Sequence, residues 1–250
     1  MSLQPLHYEL VEKEFVTTDD GLKLYRIRAL YDILDIGRGG YEHYLAYAGD
    51  LGGWIESTHV GHLPRIGPCA WVSNNARVYG KARVYGSARV FENGQLFGSA
   101  MIHDSALVAG NARVSGDAEI HGNTRIWGNA RVSGNAQVSG NATVWENARI
   151  SGHAMVYDRA TVGGDAQVSG NETVYPKYSA SIFGEAQVYD HARVDGCARV
   201  YDHAEVFGDA QVSDDAQVSD HAEVYGDARV SGAARVSGHL RVSRGVNSGT

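Results

Sequence analysis

The sequence predicts an all-β chain wound into a β-solenoid, and two observations support this prediction. The first is a six-residue unit, which reads N-A-R-V-S-G-N-A-Q-V-S-G at 129–140 and recurs over most of the chain. The second is the alternation inside that unit, where Ala130 and Val132 alternate with polar residues as on a strand with one buried face. Gly134 then ends the alternation, as a corner with positive φ requires. A short strand and a corner every six residues describe a chain that winds around three walls.

Composition and charge fit a thin core and exclude several classes of protein. The 250 residues include 31 Gly and 4 Pro, and the formal net charge of −7 argues against nucleic acid as the main partner. No apolar run approaches the roughly 18 residues of a membrane span, and the start lacks a signal-peptide pattern. Two cysteines give no disulfide framework and fit a reducing compartment. We therefore expect a cytoplasmic protein with no membrane and no nucleic-acid partner.

Residues 1–56 do not fit the repeat and are predicted to form an N-terminal cap. Segments 8–17 and 22–30 are strand-like, and Asp19, Asp20 and Gly21 between them indicate the turn of a β-hairpin. Residues 33–53 are rich in glycine and are predicted to be irregular. A solenoid exposes its core and strand edges at each end, so an atypical terminal segment usually covers one. A docking domain is the alternative interpretation.

The repeat is predicted to run over 57–244, with Lys177 and Tyr178 as two extra residues after Pro176. That length gives about ten coils of three units each, stacked at the strand spacing of about 4.8 Å. Residues 245–250 are predicted to be a disordered tail. In this winding Cys69 and Cys197 occupy the same wall seven coils apart, too far for a disulfide.

The repeat resembles that of a known superfamily. A branched residue, a small residue four positions later and a polar-glycine corner are similar to the hexapeptide repeat of left-handed parallel β-helices, found in hexapeptide acyltransferases. The segments L-Y-R-I-R-A-L at 24–30 and G-D-L-G-G-W-I-E at 49–56 resemble YdcK-type transferase-like proteins. The resemblance implies a left-handed helix. It also implies an alternative activity, acyl transfer from acetyl-CoA or another acyl-CoA to a sugar or amine, at a cleft between subunits.

In acyltransferases of this fold a histidine serves as general base, because its pKa suits proton transfer near neutral pH. His103 and His121 lie 18 residues apart at an outward position of the third wall, so they are the candidates for that role.

Residues 18 apart should stack on adjacent coils, or 20 apart across the insertion. Stacked asparagine amides can hydrogen-bond from coil to coil. We predict such a ladder at one corner, formed by Asn75, Asn93, Asn111, Asn129 and Asn147. In this register the column ends in three histidines, which are weak metal-ligand candidates because a straight column rarely brings three ring nitrogens to one point. These histidines are His203, His221 and His239, and we predict no metal site.

The outward residues of the first wall are aromatic or large at many coils, whereas the second wall carries serine at the equivalent position. Contiguous exposed apolar area generally marks an interface. The leading interpretation is a homotrimer that packs these walls together. The alternatives are a strip that binds a glycan or a protein partner, and a preference of strands for aromatic residues. The predicted interface residues are Trp71, Phe91, Leu107, Trp127, Trp145, Phe183 and Tyr201.

The sequence contains none of the common catalytic motifs, such as G-x-S-x-G, a phosphate loop or H-E-x-x-H. Acyltransferases of this fold also carry a long loop that walls the coenzyme A cleft, whereas only two extra residues interrupt this repeat. We therefore favour a rigid structural or interaction protein that homo-oligomerises and needs no cofactor. The coenzyme-A-dependent acyltransferase is the alternative, and whether the chain is an enzyme stays open.

Overall fold

The computed structural model of the protein describes residues 6–36, 42–61, 63–170 and 179–247, and these residues form strands and no helix. None of this described part could therefore cross a membrane as a long apolar helix. The chain divides into two compact units, Met1–Gly122 and Asn123–Thr250. Each unit contains stacked parallel strands in three walls, which confirms the β-solenoid prediction. The left-handed sense of the winding stays a prediction.

The first unit opens with the predicted hairpin. Strands β1 (Tyr8–Thr17) and β2 (Lys23–Ala29) pair antiparallel, and Gly21 in the turn has a φ of 86°. The prediction of an irregular 33–53 is wrong, because three strands form there, and they are β3 (Ile33–Ile36), β4 (Glu42–Ala46) and β5 (Leu51–Ile55). Their short apolar runs were concealed by the surrounding glycines, of which Gly37, Gly39 and Gly40 lie outside the described residues. Strand β5 pairs antiparallel with β2 and parallel with the first strand of the second wall.

The regular winding starts later than the predicted residue 57. Strands β6 (His59–Val60) and β7 (Leu63–Pro64) pair antiparallel, and parallel pairing on the third wall begins only with the bridge between Ile66 and Val84. The two units of the sequence pattern before Ile66 carry Thr58 and Pro64 where alanine normally lies. Because proline has no N–H to donate to a ladder, this segment is a poor rung.

The first unit then winds regular coils, and each coil contributes one short strand to each of three walls. The first wall contains β8 (Trp71–Val72), β11 (Arg89–Val90) and β14 (Leu107–Val108). The second wall contains β9 (Arg77–Val78), β12 (Gln95–Leu96) and β15 (Arg113–Val114). The third wall contains β10 (Arg83–Val84), β13 (Met101–Ile102) and β16 (Glu119–Ile120).

The second unit has the same three walls. Its first wall contains β17 (Arg125–Ile126), β20 (Thr143–Val144), β23 (Thr161–Val162), β26 (Gln187–Val188), β29 (Glu205–Val206), β32 (Glu223–Val224) and β35 (Arg241–Val242). Its second wall contains β18 (Arg131–Val132), β21 (Arg149–Ser151), β24 (Gln167–Ser169), β27 (Arg193–Val194), β30 (Gln211–Val212), β33 (Arg229–Ser231) and β36 (Val246–Asn247). Its third wall contains β19 (Gln137–Val138), β22 (Met155–Val156), β25 (Ser181–Ile182), β28 (Arg199–Val200), β31 (Gln217–Val218) and β34 (Arg235–Val236). Strand β36 falls inside the predicted tail, so the tail prediction is wrong up to residue 247, and 248–250 lie outside the described residues.

Each six-residue unit folds as its pattern predicts. Ala130 and Val132 are fully buried, as are their equivalents along both units, so alanine and valine form the core. Gly134 has a φ of 70° at the corner, and a Cβ added there would lie 2.9 Å from the amide nitrogen of Gly152 on the next coil. Both the backbone conformation and the close stacking of corners therefore favour glycine.

The insertion is eight residues long rather than two. Met155 pairs with Ser181 and Gln167 pairs with Arg193, so these partners lie 26 residues apart, eight more than the normal 18. The extra residues are 171–178, which lie outside the described residues. The segment N-E-T-V-Y-P at 171–176 imitates a repeat unit, but Glu172 stands at the position of the buried alanine. A carboxylate in that thin core would be costly, which explains why the segment is not a rung.

The corrected register moves every later residue by one wall. Phe183 and Tyr201 follow strands of the third wall, so the prediction that they share the first wall with Trp145 is wrong. Cys69 precedes a first-wall strand and Cys197 a third-wall strand, so the prediction of a shared wall is also wrong. Both cysteines are thiols rather than halves of a disulfide.

Candidate functional site

An aromatic column runs along the first wall of the second unit. It is formed by the residues that directly follow the strands of that wall, namely Trp127, Trp145, Tyr189, Phe207 and Tyr225. The ring centroids of Tyr189 and Phe207 lie 5.1 Å apart, those of Phe207 and Tyr225 lie 5.4 Å apart, and those of Trp127 and Trp145 lie 5.7 Å apart. Trp127 is 46 % exposed. The sequence analysis missed Tyr189, Phe207 and Tyr225 because its register across the insertion was wrong.

The aromatic column has one gap, at Gly163 between Trp145 and Tyr189. Elsewhere in the column neighbouring rings are stacked and cover each other's faces, so mainly ring edges point outward. A Cβ at Gly163 would collide with the indole of Trp145, so the indole leans over the glycine. The planes of Trp127 and Trp145 differ by 19°, compared with 2° for Tyr189 and Phe207.

A cleft of about 370 Å³ opens at this gap, and we call it the slot. Its lining combines two aromatic side chains with polar and acidic ones, and its residues are Trp145, Glu146, Thr161, Gly164, Gln187, Tyr189 and Asp190. The Tyr189 hydroxyl donates a hydrogen bond of 3.0 Å to Glu205 Oε2. Burial, followed by this contact with Glu205, raises the pKa of Tyr189 well above its usual value. The slot therefore has aromatic walls and a negative rim.

A second aromatic stack lies on the third wall of the second unit. Phe183 stacks between Tyr157 and Tyr201, with centroids 4.9 and 5.0 Å apart. Burial raises the pKa of Tyr157. Two of the predicted interface residues, Phe183 and Tyr201, thus belong to this separate stack.

The predicted interface residues of the first unit are largely occupied within the chain. Trp71 is only 3 % exposed and its ring centroid lies 6.2 Å from that of His7, so the prediction that it faces outward is wrong. The N-terminal segment covers this part of the first wall, which the repeat alone could not indicate. Phe91 lines a cavity of about 240 Å³ together with Tyr44, and Leu107 is half-buried.

His103 and His121, the candidates for a general base, stack on the third wall of the first unit, with centroids 5.0 Å apart. His103 Nε2 lies 3.1 Å from Glu119 Oε1, and Nδ1 lies 3.4 Å from Asp104 Oδ1. The Gly122 amide lowers the pKa of Asp104, and His103 and His121 add to that effect. Because both nitrogens of His103 face carboxylates, the surroundings favour its protonated form, which cannot accept a proton.

The three stacked histidines of the second unit share a corner with Glu185, not with the asparagine ladder. Glu185 accepts a 2.6 Å hydrogen bond from Arg159 and lies 3.3 Å from His203. The rings of His221 and His239 are parallel within 3°, with centroids 5.1 Å apart, so their nitrogens do not converge. Within the described ranges, no group of three His, Cys, Asp or Glu side chains is arranged to hold a metal ion.

The corners carry polar contacts between coils. Asn93 donates to Asn111 at 3.1 Å in the first unit, and Asn129 donates to Asn147 at 3.0 Å in the second. The sequence analysis missed a further ladder, in which Asn123 donates to Asn141 at 3.1 Å.

Corner carboxylates make a second kind of contact between coils, in which each accepts a hydrogen bond from the corner amide of the following coil. The Gly122 amide donates to Asp104, and the Gly238 amide donates to Asp220 at 2.8 Å. The signal in the sequence is an acidic residue at the corner position with glycine 18 residues later. The same contact joins Glu92 to Gly110, Asp190 to Gly208 and Asp214 to Gly232.

The second wall of the second unit presents two exposed arginines on adjacent coils. Arg131 and Arg149 are paired strand neighbours, and the residues that follow their strands are serines. Neither arginine makes an ion pair with any residue in the described part of the chain. Their positive charge is therefore left for solvent or for another molecule.

The comparisons with known proteins agree with the fold. The model of the YdcK β-solenoid repeat matches residues 70–86, 76–92, 136–147, 148–164 and 222–238. A search of the curated proteins found no match. These segments lie in both units and consist of the six-residue pattern described above. The chain is thus similar to YdcK β-solenoid repeats in these segments, and the matches together with the fold support a family of repeat β-helix proteins.

Proposed function

We propose that this β-solenoid is a structural or interaction protein that forms a homo-oligomer, with a trimer favoured, through the aromatic column of its second unit. The observation that carries the proposal is the row of five aromatic side chains on one wall, from Trp127 to Tyr225. Exposed apolar rows of this kind mark interfaces, because their burial removes apolar area from water.

The orientation of the rings favours a protein partner over a glycan. Sugars stack on exposed aromatic faces, whereas the faces of Phe207 and its neighbours are covered by one another. Ring edges pack readily against the side chains of another protein surface. A solenoid also repeats its surface at a fixed spacing, so a second copy can match it coil by coil.

The test is the mass in solution by light scattering, for the wild type and for Trp127→Arg and Trp145→Arg. We expect an oligomer that each of these changes dissociates, because a buried guanidinium without a partner is costly. The matched control is Tyr201→Arg, which places the same charge in the aromatic stack of the third wall. A monomeric wild type, or dissociation by Tyr201→Arg alone, would contradict the proposal.

The acyltransferase remains the alternative, and two observations bear on it. The insertion of eight residues at 171–178 weakens the sequence argument that no loop could wall a coenzyme A cleft. The carboxylates on both sides of His103 weigh against its role as a base. We propose no cofactor, and a rise in Tm with acetyl-CoA would favour the transferase instead, since a ligand that prefers the folded state stabilises it.

A further inference from the structure

The slot at Gly163 has the chemistry of a guanidinium-binding site. Trp145 and Tyr189 supply aromatic surface, while Glu146 and Asp190 supply negative charge, and no basic side chain lines the slot. A guanidinium is planar, weakly hydrated and attracted to aromatic faces, so it satisfies both kinds of surface at once.

The chain shows the same combination inside its own first wall. Arg241 lies over the ring of Tyr225, with the guanidinium carbon 5.3 Å from the ring centroid, and its Nη2 lies 2.8 Å from Glu223 Oε2. This contact joins an arginine to an aromatic ring and to a carboxylate of the same wall. At the slot the ring and the carboxylates are present and the arginine is not.

The exposed second wall of the same unit carries arginines that fit this need. Arg131 and Arg149 lie on adjacent coils, are exposed and make no ion pair within the described part of the chain. By contrast, Arg193 is followed two residues later by Asp195, whose pKa it lowers against the effect of burial. Both walls repeat at about 4.8 Å per coil, so two arginines of one copy match two adjacent coils of another.

We propose that the oligomer is held by a head-to-tail contact, in which Arg131 and Arg149 of one copy bind the slot and the neighbouring aromatic rings of the next. This inference rests on the proposed function and adds the partner surface to it. The contact is heterologous, since an arginine face meets an aromatic and acidic face, and such contacts close into rings when the rotation between copies allows. The charges are complementary, which favours this pairing over two aromatic columns facing each other.

The test uses two double variants of the full chain and their mixture. In the arginine variant, Arg131→Glu and Arg149→Glu reverse the positive face. In the slot variant, Glu146→Lys and Gln187→Lys place positive charge at the slot, and all four side chains are exposed, so the fold should be retained. The matched control, Arg199→Glu with Arg235→Glu, makes the same charge change on the third wall. Circular dichroism verifies folding, and light scattering gives the mass.

We expect each double variant to be monomeric where the wild type is assembled, through a rise of about 100-fold in the Kd. We expect an equimolar mixture of the two variants to regain a complex, because each retains one intact face, and the control to behave as the wild type. If Trp145→Arg dissociates the oligomer and the arginine variant does not, the head-to-tail contact is wrong while the proposed function stands. Two monomeric variants whose mixture stays monomeric would also overturn it. A monomeric wild type would overturn both proposals.

Discussion

Replacement of Arg65 by methionine should loosen the first coil of the first unit. The Arg65 side chain is 2 % exposed, and its guanidinium donates to the carbonyls of Ser57, Gly80 and Ala82 at 3.1, 3.0 and 3.2 Å. It also lies 3.7 Å from Glu56. Burial lowers the pKa of Arg65, and Glu56 opposes that shift. Arg65 therefore serves carbonyls of the first regular coil that the irregular 57–64 segment does not pair.

Two opposing terms set the magnitude. Three hydrogen bonds from a charged donor contribute about 1.5–3 kcal/mol each. Against this, burying a guanidinium costs several kcal/mol, and methionine removes that cost. Since the three carbonyls would be left without a donor in a partly buried site, we expect the bonds to dominate and the net loss to be about 3 kcal/mol.

Hydrogen exchange is the suitable assay, because a repeat protein need not unfold in one step and exchange reports local opening. The informative amide is that of Val84, which donates to the Arg65 carbonyl at 2.9 Å. A loss of about 3 kcal/mol corresponds to roughly 100-fold faster exchange. Arg77→Met is the control, as a half-buried arginine of the same unit, and should change exchange by less than about ten-fold. Acceleration below ten-fold in Arg65→Met would refute the reasoning.

Two further predictions concern His7 and Gly163. Burial lowers the pKa of His7 to about 4 from 6.5, and the side chain is 8 % exposed, so the folded state holds the neutral imidazole. Its contribution to stability is complete above about pH 6.5 and is lost as the pH falls towards 4. Between pH 7 and 4.5 the wild type should therefore lose about 2 kcal/mol more than His7→Gln in urea unfolding, and equal losses would contradict this. Gly163→Ala should displace the Trp145 indole and increase quenching of tryptophan fluorescence by acrylamide, whereas Gly164→Ala nearby should move Trp145 less; an unchanged quenching constant would show that the indole does not depend on Gly163.

The sequence predicted the winding because the core is simple. Alanine and valine alternate at two positions of each unit, and only one strand phase buries both Ala130 and Val132. The corner at Gly134 was equally predictable from its need for a positive φ. The aromatic column was found in part, since Trp127 and Trp145 precede the insertion and needed only the count of 18.

The remaining residues of the column were missed for one physical reason. The analysis accepted 171–176 as a rung on the strength of Val174, although Glu172 occupied the buried position. Weighing that carboxylate against the core would have given an eight-residue insertion and placed Tyr189 on the first wall. Long-range features were beyond the repeat altogether, because the burial of Trp71 beside His7 depends on how a non-repeating segment folds back.

The eight-residue insertion has a consequence for how such chains can change length. It adds residues between a second-wall strand and a third-wall strand, yet every later unit follows the same order of walls. A deletion of 18 residues would likewise preserve each wall's composition, whereas a deletion of six would shift all downstream side chains to a different wall. The coil therefore acts as a cassette that evolution or an engineer can add or remove, while fractions of a coil are filtered out by the surface they scramble.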